Sequence, residues 1–354
     1  MTTPPLLDVN GLSVHFPLRR SFGAALRRQP RQAVRAVDGV SFSVVPGEMV
    51  ALVGESGSGK STTAQALVQM VRPAAGSIRL HGKDLGRLSA AELRRTRARL
   101  QMVYQDPYES LDPRFRVART VAEPLVVHGV GASAAERRAM AERALERAGL
   151  APAGQFLDRL PHELSGGQRQ RVAIAAALVL EPDLLIADEP VSMLDMSVRA
   201  GVLSLFDQLR SDGLGILMIT HDISTAANYA DRIIVMYLGR IVEEGPAAEV
   251  VGSPAHPYTQ ALVAAVPRLG AGPRGDRLPA GEVPDPAAVL AGCRFHPRCS
   301  LAQETCRTHD PGLLPLTDRA GQAACPVSQR TVAAGVRQLP DRERSLDRRL
   351  PRDA

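Results

Sequence analysis

Hydrophobic residues in this chain occur mainly as short unbroken runs rather than in alternation with polar residues. The clearest runs are DLLIAD (183–188), GILMIT (215–220) and RIIVM (232–236). Such runs are typical of strands that are buried on both faces, as in a parallel sheet covered by helices. Because helix-like segments separate the runs, the pattern predicts an α/β protein with a mostly parallel central sheet.

Turn and cap residues predict where other elements begin and end. VSFSVVPGEMVALVG (40–54) predicts two strands joined by a proline–glycine turn, and residues 61–71 are predicted to form a helix. Residues 101–130 are punctuated by prolines and are predicted to be irregular. Two pairs have the spacing of a capping box and predict further helices, the second ending at Gly149: Ser89 with Glu92, and Ser133 with Glu136.

Composition and charge indicate where in the cell the protein is located and which partners it can bind. The chain has 354 residues, 45% of them hydrophobic, and a formal net charge of +6. Much of the arginine lies in 19–35 and 336–353 rather than in one patch, which favours a generally basic composition over a binding surface. The stretch 19–35 is predicted to be a solvated insertion between two strands, with contact to lipid head groups or nucleic acid as the alternative. The N-terminus lacks a signal-peptide pattern, and no apolar run reaches the ~18 residues of a membrane span. These features predict a cytosolic protein that reaches a membrane only through a partner.

The sequence GESGSGKS (54–61) matches the phosphate-binding motif G-x-x-x-x-G-K-S/T in full. It follows the strand MVALV and precedes the predicted helix, which is the context that this P-loop motif requires. Backbone N–H groups would surround the phosphates, Lys60 would neutralise the β and γ oxygens, and Ser61 would ligate Mg²⁺. The predicted nucleotide-binding residues of the motif are Gly54, Ser56, Gly57, Ser58, Gly59, Lys60, Ser61 and Thr62.

Polar residues stand at the ends of two of the apolar runs. Asp188 ends DLLIAD and is predicted to hold Mg²⁺ through water, whereas Glu189, the next residue, is predicted to act as general base. His221 follows GILMIT and is predicted to hydrogen-bond the γ-phosphate. Gln105 is predicted to reach the metal or the attacking water from a loop. The predicted catalytic residues are therefore Glu189, His221 and Gln105.

A second helix start, HELSGGQRQR (162–171), also has the features of an anion site, namely a hydroxyl cap followed by glycines. Several motifs stand in one order along the chain: the P-loop, Gln105, LSGGQ (164–168), Asp188–Glu189, Asp195 and His221. This order resembles the ATPase cassette of ATP-binding cassette (ABC) transporters over about residues 6–265. LSGGQ is the most specific motif, because ordinary P-loop kinases and GTPases lack it.

The resemblance implies roles for these residues. In that family two cassettes meet head to tail, and the signature helix of one binds the γ-phosphate held by the P-loop of the other. Asp195 would lie in the loop that crosses to the partner site, and His221 would be the switch histidine. Phe16, or His15 beside it, would stack on adenine. The residues that would serve the partner's nucleotide are Ser165, Gly166, Gly167 and Gln168.

The resemblance also implies a fold of class α/β, a P-loop NTPase of the ABC type. It would have a mostly parallel central sheet, an antiparallel N-terminal β-subdomain and an inserted α-helical signature subdomain at about 106–180. A small cysteine-rich C-terminal domain would follow a linker. The implied divisions are the cassette at 1–266, the C-terminal domain at 267–335 and a basic disordered tail at 336–354. Two residues depart from the family pattern, Met193 in place of Ala and Ala176 in place of Arg.

Finer motifs resemble one branch of the family, the oligopeptide/dipeptide importer ATPases. They include AVDGVSF, QDPYESLDPR and HPYTQALVAAVP (256–267). The branch implies ATP and Mg²⁺ as cofactors and uptake of peptides or related solutes. Its partners would be a second, related ATPase subunit in a heterodimer, two membrane permeases gripped by about residues 106–130, and an extracytoplasmic binding protein. The chain would be peripheral at the cytoplasmic face of the membrane, with no nucleic acid bound.

Four cysteines, the only ones in the chain, lie within a short C-terminal segment. Their spacing alone does not choose between zinc and an iron–sulfur cluster. The resemblance implies a 4Fe–4S cluster that staples the segment, held by Cys293, Cys299, Cys306 and Cys325. Zinc, with His296 or His309 as a ligand, and a segment without metal or with disulfides remain the alternatives.

Two other functions fit parts of the sequence. A soluble cassette ATPase acting on ribosomes or nucleic acid usually has tandem cassettes or a long coiled-coil insertion, and neither is evident here. A small-molecule P-loop kinase would lack LSGGQ and the switch histidine. The transport ATPase is therefore the function that the sequence predicts.

Overall fold

The computed structural model describes residues 4–17, 33–106, 111–266, 284 and 290–327. Most of the predicted insertion at 19–35, the linker after Pro267 and the tail at 336–354 lie outside these residues. No helix in the described part combines the length and the apolar composition that a membrane crossing needs.

The described residues form both strands and α-helices. The strands are β1 (Leu7–Pro17), β2 (Ala33–Val44), β3 (Met49–Val53), β4 (Ala75–Leu80), β5 (Lys83–Asp84), β6 (Leu100–Val103), β7 (Leu184–Asp188), β8 (Gly215–Thr220), β9 (Arg232–Tyr237), β10 (Arg240–Pro246), β11 (Leu314–Pro315) and β12 (Gln322–Ala323). The helices are α1 (Lys60–Leu67), α2 (Ala90–Arg97), α3 (Val117–His128), α4 (Ala134–Arg147), α5 (Gly166–Leu178), α6 (Met196–Ser211), α7 (Ile223–Tyr229), α8 (Ala247–Gly252), α9 (Pro257–Ala265) and α10 (Glu304–Thr308). Short 3₁₀ turns lie at Leu85–Arg87, Ala153–Gln155, Pro161–Glu163 and His296–Arg298.

A central sheet with the strand order β11-β12-β10-β9-β3-β8-β7-β6 forms the middle layer of the described residues. The strands from β9 to β6 are parallel, whereas β10, β12 and β11 pair antiparallel at one edge. Every residue of β3, β7 and β8 is buried. The prediction of parallel strands buried on both faces from unbroken apolar runs is therefore confirmed.

A second sheet is antiparallel, with the order β2-β1-β4-β5, and it covers one face of the central sheet. Alternate residues of β3 show the two-sided packing. Val50 and Leu52 pack with β1, β2 and α1, whereas Met49, Ala51 and Val53 pack with the helices on the other face. Successive side chains of any strand point to opposite faces of the sheet, and in β3 both sets of side chains are apolar. The implied N-terminal antiparallel subdomain is thus present.

Helices α3, α4 and α5 pack on one another and form the helical part of the molecule. The prediction that residues 101–130 are irregular is wrong, because they contain β6 and the helix α3, which includes Pro124. Val117, Val121 and Leu125 of α3 are fully buried, and each such burial contributes roughly 1.5–3 kcal/mol. Together these contributions exceed the ~3 kcal/mol that a proline costs inside a helix.

The two predicted helix caps differ in detail. Ser89 and Glu92 form a complete capping box at the start of α2. Ser133 caps α4 by accepting a hydrogen bond from the Glu136 N–H (3.1 Å), but the Glu136 carboxylate accepts from the Ala132 N–H instead of completing the box. The helix start and its end before Gly149 are as predicted.

The segment 290–327 docks on the edge of the central sheet. Strand β12 pairs with β10, with Glu243 opposite Ala323. Arg319 is ion-paired with Glu243, and both side chains are buried. The Glu243 carboxylate also accepts hydrogen bonds from the backbone N–H groups of Ala255 and His256, each at 2.8 Å. A buried charge needs such partners, so these contacts fix the segment against the edge of the central sheet. The division predicted near residue 266 stays a prediction.

The burial of His256 beside these contacts predicts that the stability of the protein depends on pH. The unfolded pKa of His256 is about 6.5, and burial lowers the folded pKa to about 3. Between these values the unfolded chain binds more protons, so stability falls as pH falls, by at most about 1.4 kcal/mol per pH unit.

Thermal melting of the wild type and of His256→Asn, followed over that pH range, measures this contribution. Asparagine keeps an acceptor for the Tyr258 N–H, which His256 Nδ1 receives at 3.0 Å, but it does not titrate. The wild type should lose more Tm than the variant as the pH falls. Parallel pH profiles would show that His256 does not contribute.

Candidate nucleotide site

The P-loop between β3 and α1 lies tightly against two other stretches of backbone. A Cβ atom at Gly54 would overlap the Met236 carbonyl oxygen of β9, and one at Gly59 would overlap the carbonyl oxygen of Ala36 in β2. Gly59 also has a φ of 102°, in the left-handed region that favours glycine. These glycines are required by packing and conformation, and the predicted loop is formed.

Lys60 is almost completely buried at the start of α1. Its Nζ donates to the carbonyl oxygens of Gly54 (2.7 Å) and Glu55 (2.9 Å). Burial lowers the pKa of Lys60, and the carboxylates of Glu189, Asp188 and Glu55 oppose that shift. A buried lysine stabilised by surrounding carboxylates is well suited to receive the oxygens of a phosphate chain.

Ser61 and Asp188 meet at the front of the loop. The Ser61 hydroxyl donates to Asp188 Oδ1 at 3.2 Å. Burial raises the pKa of Asp188, the hydrogen bond from Ser61 opposes the shift, and the neighbouring Glu189 adds to it. Hydroxyl and carboxylate oxygens are ligands that Mg²⁺ prefers, so these two side chains fit a magnesium ion.

The three predicted catalytic residues converge on one carboxylate oxygen. Glu189 Oε2 lies 3.3 Å from Gln105 Nε2 and 3.1 Å from His221 Nδ1. The three residues follow β6, β7 and β8, which are neighbouring parallel strands, so their carboxyl ends meet at one edge of the sheet. Glu189 has a φ of 45°, and its N–H donates to the Ile219 carbonyl. A non-glycine residue with this φ needs support from its surroundings, as functional residues often do.

These residues line an open cleft of about 670 Å³. The predicted residues that line it are Ser56, Gly57, Gly59, Lys60, Ser61, Thr62, Gln105, Glu189 and His221, whereas Gly54, Ser58 and Asp188 are not among its lining residues. The lining residues that sequence analysis missed are Val34, Arg35, Ala36, Leu238 and Gly239. They come from the start of β2 and the β9–β10 turn, and no motif in the sequence points to them.

Phe16 and His15 lie beside this cleft rather than in its lining. Phe16 is opposite Val34 in the β1–β2 pairing, and its side chain is 41% exposed. His15 is opposite Arg35 and is also exposed. An exposed aromatic ring one strand away from the lining residues is available for stacking, so the adenine contact stays a prediction.

The LSGGQ stretch begins α5 with a capping box. Ser165 Oγ accepts from the Gln168 N–H (3.3 Å), and Gln168 Oε1 accepts from the Ser165 N–H (3.0 Å). Asp195 similarly caps α6 by accepting from the Val198 N–H at 3.0 Å. Among the described residues that line the P-loop cleft, neither helix start is represented. The two predicted anion sites of the chain are therefore separate.

A groove of about 830 Å³ lies between the helical part and the strand ends. It is lined by Gln105 and Asp188 from the nucleotide side and by Thr120, Glu123 and Val127 from α3. Part of the segment predicted to grip a permease thus borders the same groove as Gln105, one of the predicted catalytic residues. Ala176 also lines this groove, whereas Met193 is exposed elsewhere.

The four cysteines are all among the described residues, and no disulfide joins any two of them. Cys306 and Cys325 are buried, and the Cys293 N–H donates to the Cys306 carbonyl (2.8 Å). Burial raises the pKa of Cys293 to about 11, and the thiols of Cys306, Cys325 and Cys299 add to the shift. The thiols are thus neighbours, but in the described residues no three His, Cys, Asp or Glu side chains group as a metal site. The predicted iron–sulfur cluster and the zinc alternative are not confirmed.

The site has the features of a nucleoside triphosphatase of the P-loop class. These features are a glycine-rich loop that precedes a helix, a buried lysine, a serine–aspartate pair and a supported glutamate at the strand ends. Two family models match the chain, "ABC transporter" over residues 37–192 and "Oligopeptide/dipeptide transporter, C-terminal region" over residues 242–306.

Relatives match over nearly the whole length of both proteins. The dipeptide transport ATP-binding protein DppF of Haemophilus influenzae is 42% identical over 89% of this chain and 94% of its own length. The oligopeptide transport ATP-binding protein AppF of Bacillus subtilis is 42% identical over 86% of this chain and 92% of its own. The chain belongs to the ABC transporter ATP-binding proteins that carry the oligopeptide/dipeptide transporter C-terminal region.

Solved structures agree with this family. The dimeric ATP-binding cassette MJ0796, bound to ADP and Pi after hydrolysis, has a TM-score of 0.59 and 29% identity, over 68% of this chain and 98% of its own. The cbiO1 subunit of Clostridium perfringens, part of the ABC transporter complex cbiONQ, also has a TM-score of 0.59 and 29% identity, over 70% and 91% of the two chains. The predicted fold class is therefore confirmed.

Gly167 allows a test of how the LSGGQ helix is held. A Cβ atom there would overlap Cγ1 of Val198 in α6. Gly167→Ala should therefore destabilise the chain by about 1–3 kcal/mol, as overpacking does. Val198→Ala is the matched control, because it removes the atom that a Cβ at position 167 would overlap. Adding Gly167→Ala to Val198→Ala should therefore cost much less stability than Gly167→Ala costs in the wild type. Chemical denaturation of the four proteins measures the coupling, and additive effects would show that the two helices do not press on each other at this point.

Proposed function

We propose that the chain is the ATPase subunit of an ABC importer and hydrolyses MgATP to drive uptake of peptides or related small solutes. The observation that carries this proposal is the Glu189 carboxylate, held by Gln105 and His221 at the rim of the P-loop cleft. A carboxylate in that position can polarise a water for attack on a γ-phosphate.

Different residues of the site have different roles in the proposed ATP hydrolysis. Lys60 and the backbone N–H groups of the loop hold the phosphates, and Glu189 accepts a proton from the attacking water. Ser61, Gln105 and Asp188 would hold Mg²⁺, which neutralises charge on the β and γ oxygens when it is bound. His221 would donate a hydrogen bond to the γ-phosphate while orienting Glu189.

The sites are composite and form between two cassettes. LSGGQ offers a hydroxyl and helix N–H groups, yet it lies outside the cleft that contains this chain's own P-loop. Charge-assisted hydrogen bonds from such donors contribute about 1.5–3 kcal/mol each. Ser165, Gly166, Gly167 and Gln168 would therefore bind nucleotide held by a second cassette, with Asp195 at the crossing loop. Hydrolysis would remove the bridging phosphate and release the pair.

The remaining partners follow from the family. The relatives described above are named as peptide-transport proteins, and the alternative of a ribosome- or nucleic-acid-associated ATPase gains no support from them. The chain would sit at the cytoplasmic face of the membrane on two permeases, with an extracytoplasmic binding protein in the same complex. The groove between α3 and Gln105 is the proposed permease contact. A related chain would complete a heterodimer of cassettes.

Glu189→Gln tests the proposed base. In the purified transporter complex the variant should bind MgATP as the wild type does, because the amide keeps the shape of the side chain. Phosphate release should fall by about a hundredfold or more, the scale of general-base catalysis. Glu249→Gln, at an exposed glutamate of α8, is the matched control. Normal turnover by Glu189→Gln would reject the assignment.

The four thiols form the proposed metal-ligand set, with a 4Fe–4S cluster favoured over zinc. The support is their proximity in a small segment whose fold would gain from such a staple. Anaerobically purified protein should contain about four iron and four sulfide per chain, and a Cys306→Ser variant markedly less. About one zinc and no sulfide would favour the alternative, and no metal at all would reject both.

A further inference from the structure

Glu55, the second residue of the P-loop, carries a negative charge in a loop that binds phosphates. Its carboxylate is held by Arg298 through two hydrogen bonds, from Nη1 to Oε2 (2.8 Å) and from Nη2 to Oε1 (3.2 Å). The Arg298 side chain is only 7% exposed and that of Glu55 22%. A paired fork of this kind is among the strongest and most directional ion pairs in proteins.

The backbone of Glu55 is also held from outside the loop. Its N–H donates to the hydroxyl oxygen of Tyr258 at 2.8 Å, and the Tyr258 side chain is fully buried. Tyr258 belongs to α9, which His256 caps. One P-loop residue is thus fixed through its side chain by the cysteine-bearing segment and through its backbone by the helix that precedes it.

Arg298 is placed by aromatic packing. It lies in the turn between Cys293 and Cys299, and Phe295 of the same turn is buried against the rings of Tyr237 (5.2 Å between centroids) and Tyr258 (5.4 Å). The Arg298 guanidinium lies 5.9 Å from the centre of the Tyr237 ring. Because Phe295 anchors the turn, Arg298 can only pair with Glu55 when the segment is docked.

We propose that Arg298 is a positioning residue for the nucleotide site: it neutralises Glu55 beside the P-loop, and because this pair forms only when the segment 293–299 is docked, that docking sets the affinity for MgATP. The inference rests on the proposed ATPase function. The inference gives the cysteine-bearing segment a role in nucleotide binding through the contact of Arg298 with Glu55. This role does not depend on whether the four thiols bind a metal.

The physical reason is charge. Without Arg298, the Glu55 carboxylate would stand unpaired beside the phosphate-binding loop and repel the phosphates. At an effective dielectric constant of about 20, a unit charge about 10 Å from a phosphate group changes the affinity by roughly tenfold. Removing the carboxylate at the same time removes the repulsion, so the two changes should compensate each other.

The test is a double-mutant cycle on the full-length chain, with MgATP binding at equilibrium and kcat measured separately. Arg298→Gln should weaken MgATP binding about tenfold, with a much smaller change in kcat at saturating MgATP. Glu55→Gln should bind at least as tightly as the wild type. The double variant Glu55→Gln/Arg298→Gln should bind within about twofold of the wild type, because the charge that repels phosphate is absent.

Two further variants separate this role from a loss of folding. Asp310→Asn breaks the ion pair of Asp310 with Arg240 (2.5 Å), which also docks the segment but involves no P-loop residue, and it should bind MgATP normally. Arg298→Lys keeps the charge and should retain most of the affinity, which provides the readout if Arg298→Gln does not fold.

The outcomes decide between the two proposals. Failure of the wild type to bind MgATP would reject the proposed function itself. If the wild type binds and Arg298→Gln binds equally well, or if the double variant stays as weak as Arg298→Gln, the positioning role is rejected while the ATPase function stands.

Discussion

The site depends on one packing constraint, the close approach of the P-loop backbone to two neighbouring backbones. Gly54 lies against Met236 of β9 and Gly59 against Ala36 of β2, with no space for a side-chain carbon at either position. The Gly239 N–H donates to the Ser58 carbonyl at 2.8 Å, which joins the loop to the β9–β10 turn. A loop held in this way cannot shift without moving the sheet, so Lys60 and Ser61 at the start of α1 inherit its position.

The second group of residues reaches the same place by a different route, through the register of parallel strands. Gln105, Glu189 and His221 lie far apart in sequence, but β6, β7 and β8 end together and bring them to one carboxylate oxygen. The uncommon backbone conformation of Glu189 is supported by its N–H bond to Ile219 on β8. The arrangement of these predicted catalytic residues is therefore set by the register of the parallel strands that precede them.

The sequence predicted the features that local rules govern and missed those that tertiary packing governs. Unbroken apolar runs and the P-loop spacing are local, and both the parallel strands and the loop are as predicted. Helix α3 was missed because Pro124 opposes a helix locally, whereas burial of its apolar face decides the outcome. The contact between Arg298 and Glu55 spans 243 positions, and neither residue belongs to a pattern that reveals the other. For the cysteines, spacing gives proximity but not the orientation of the thiols.

The carboxylates around Lys60 differ in their partners, and electrostatics explains why Glu55 is paired with an arginine. Three of them, Glu189, Asp188 and Glu55, favour the charged form of this buried lysine. Glu189 lines the cleft and Asp188 is hydrogen-bonded to Ser61 beside it, where the two are predicted to serve a water and a metal ion. Glu55 has no such use, and an unpaired charge at the loop would oppose the anion that the loop binds. Its pairing with Arg298, which is not among the residues that line the cleft, would remove that opposition and leave Lys60, Arg35 and the loop's own N–H groups as the positive groups beside the proposed phosphate site.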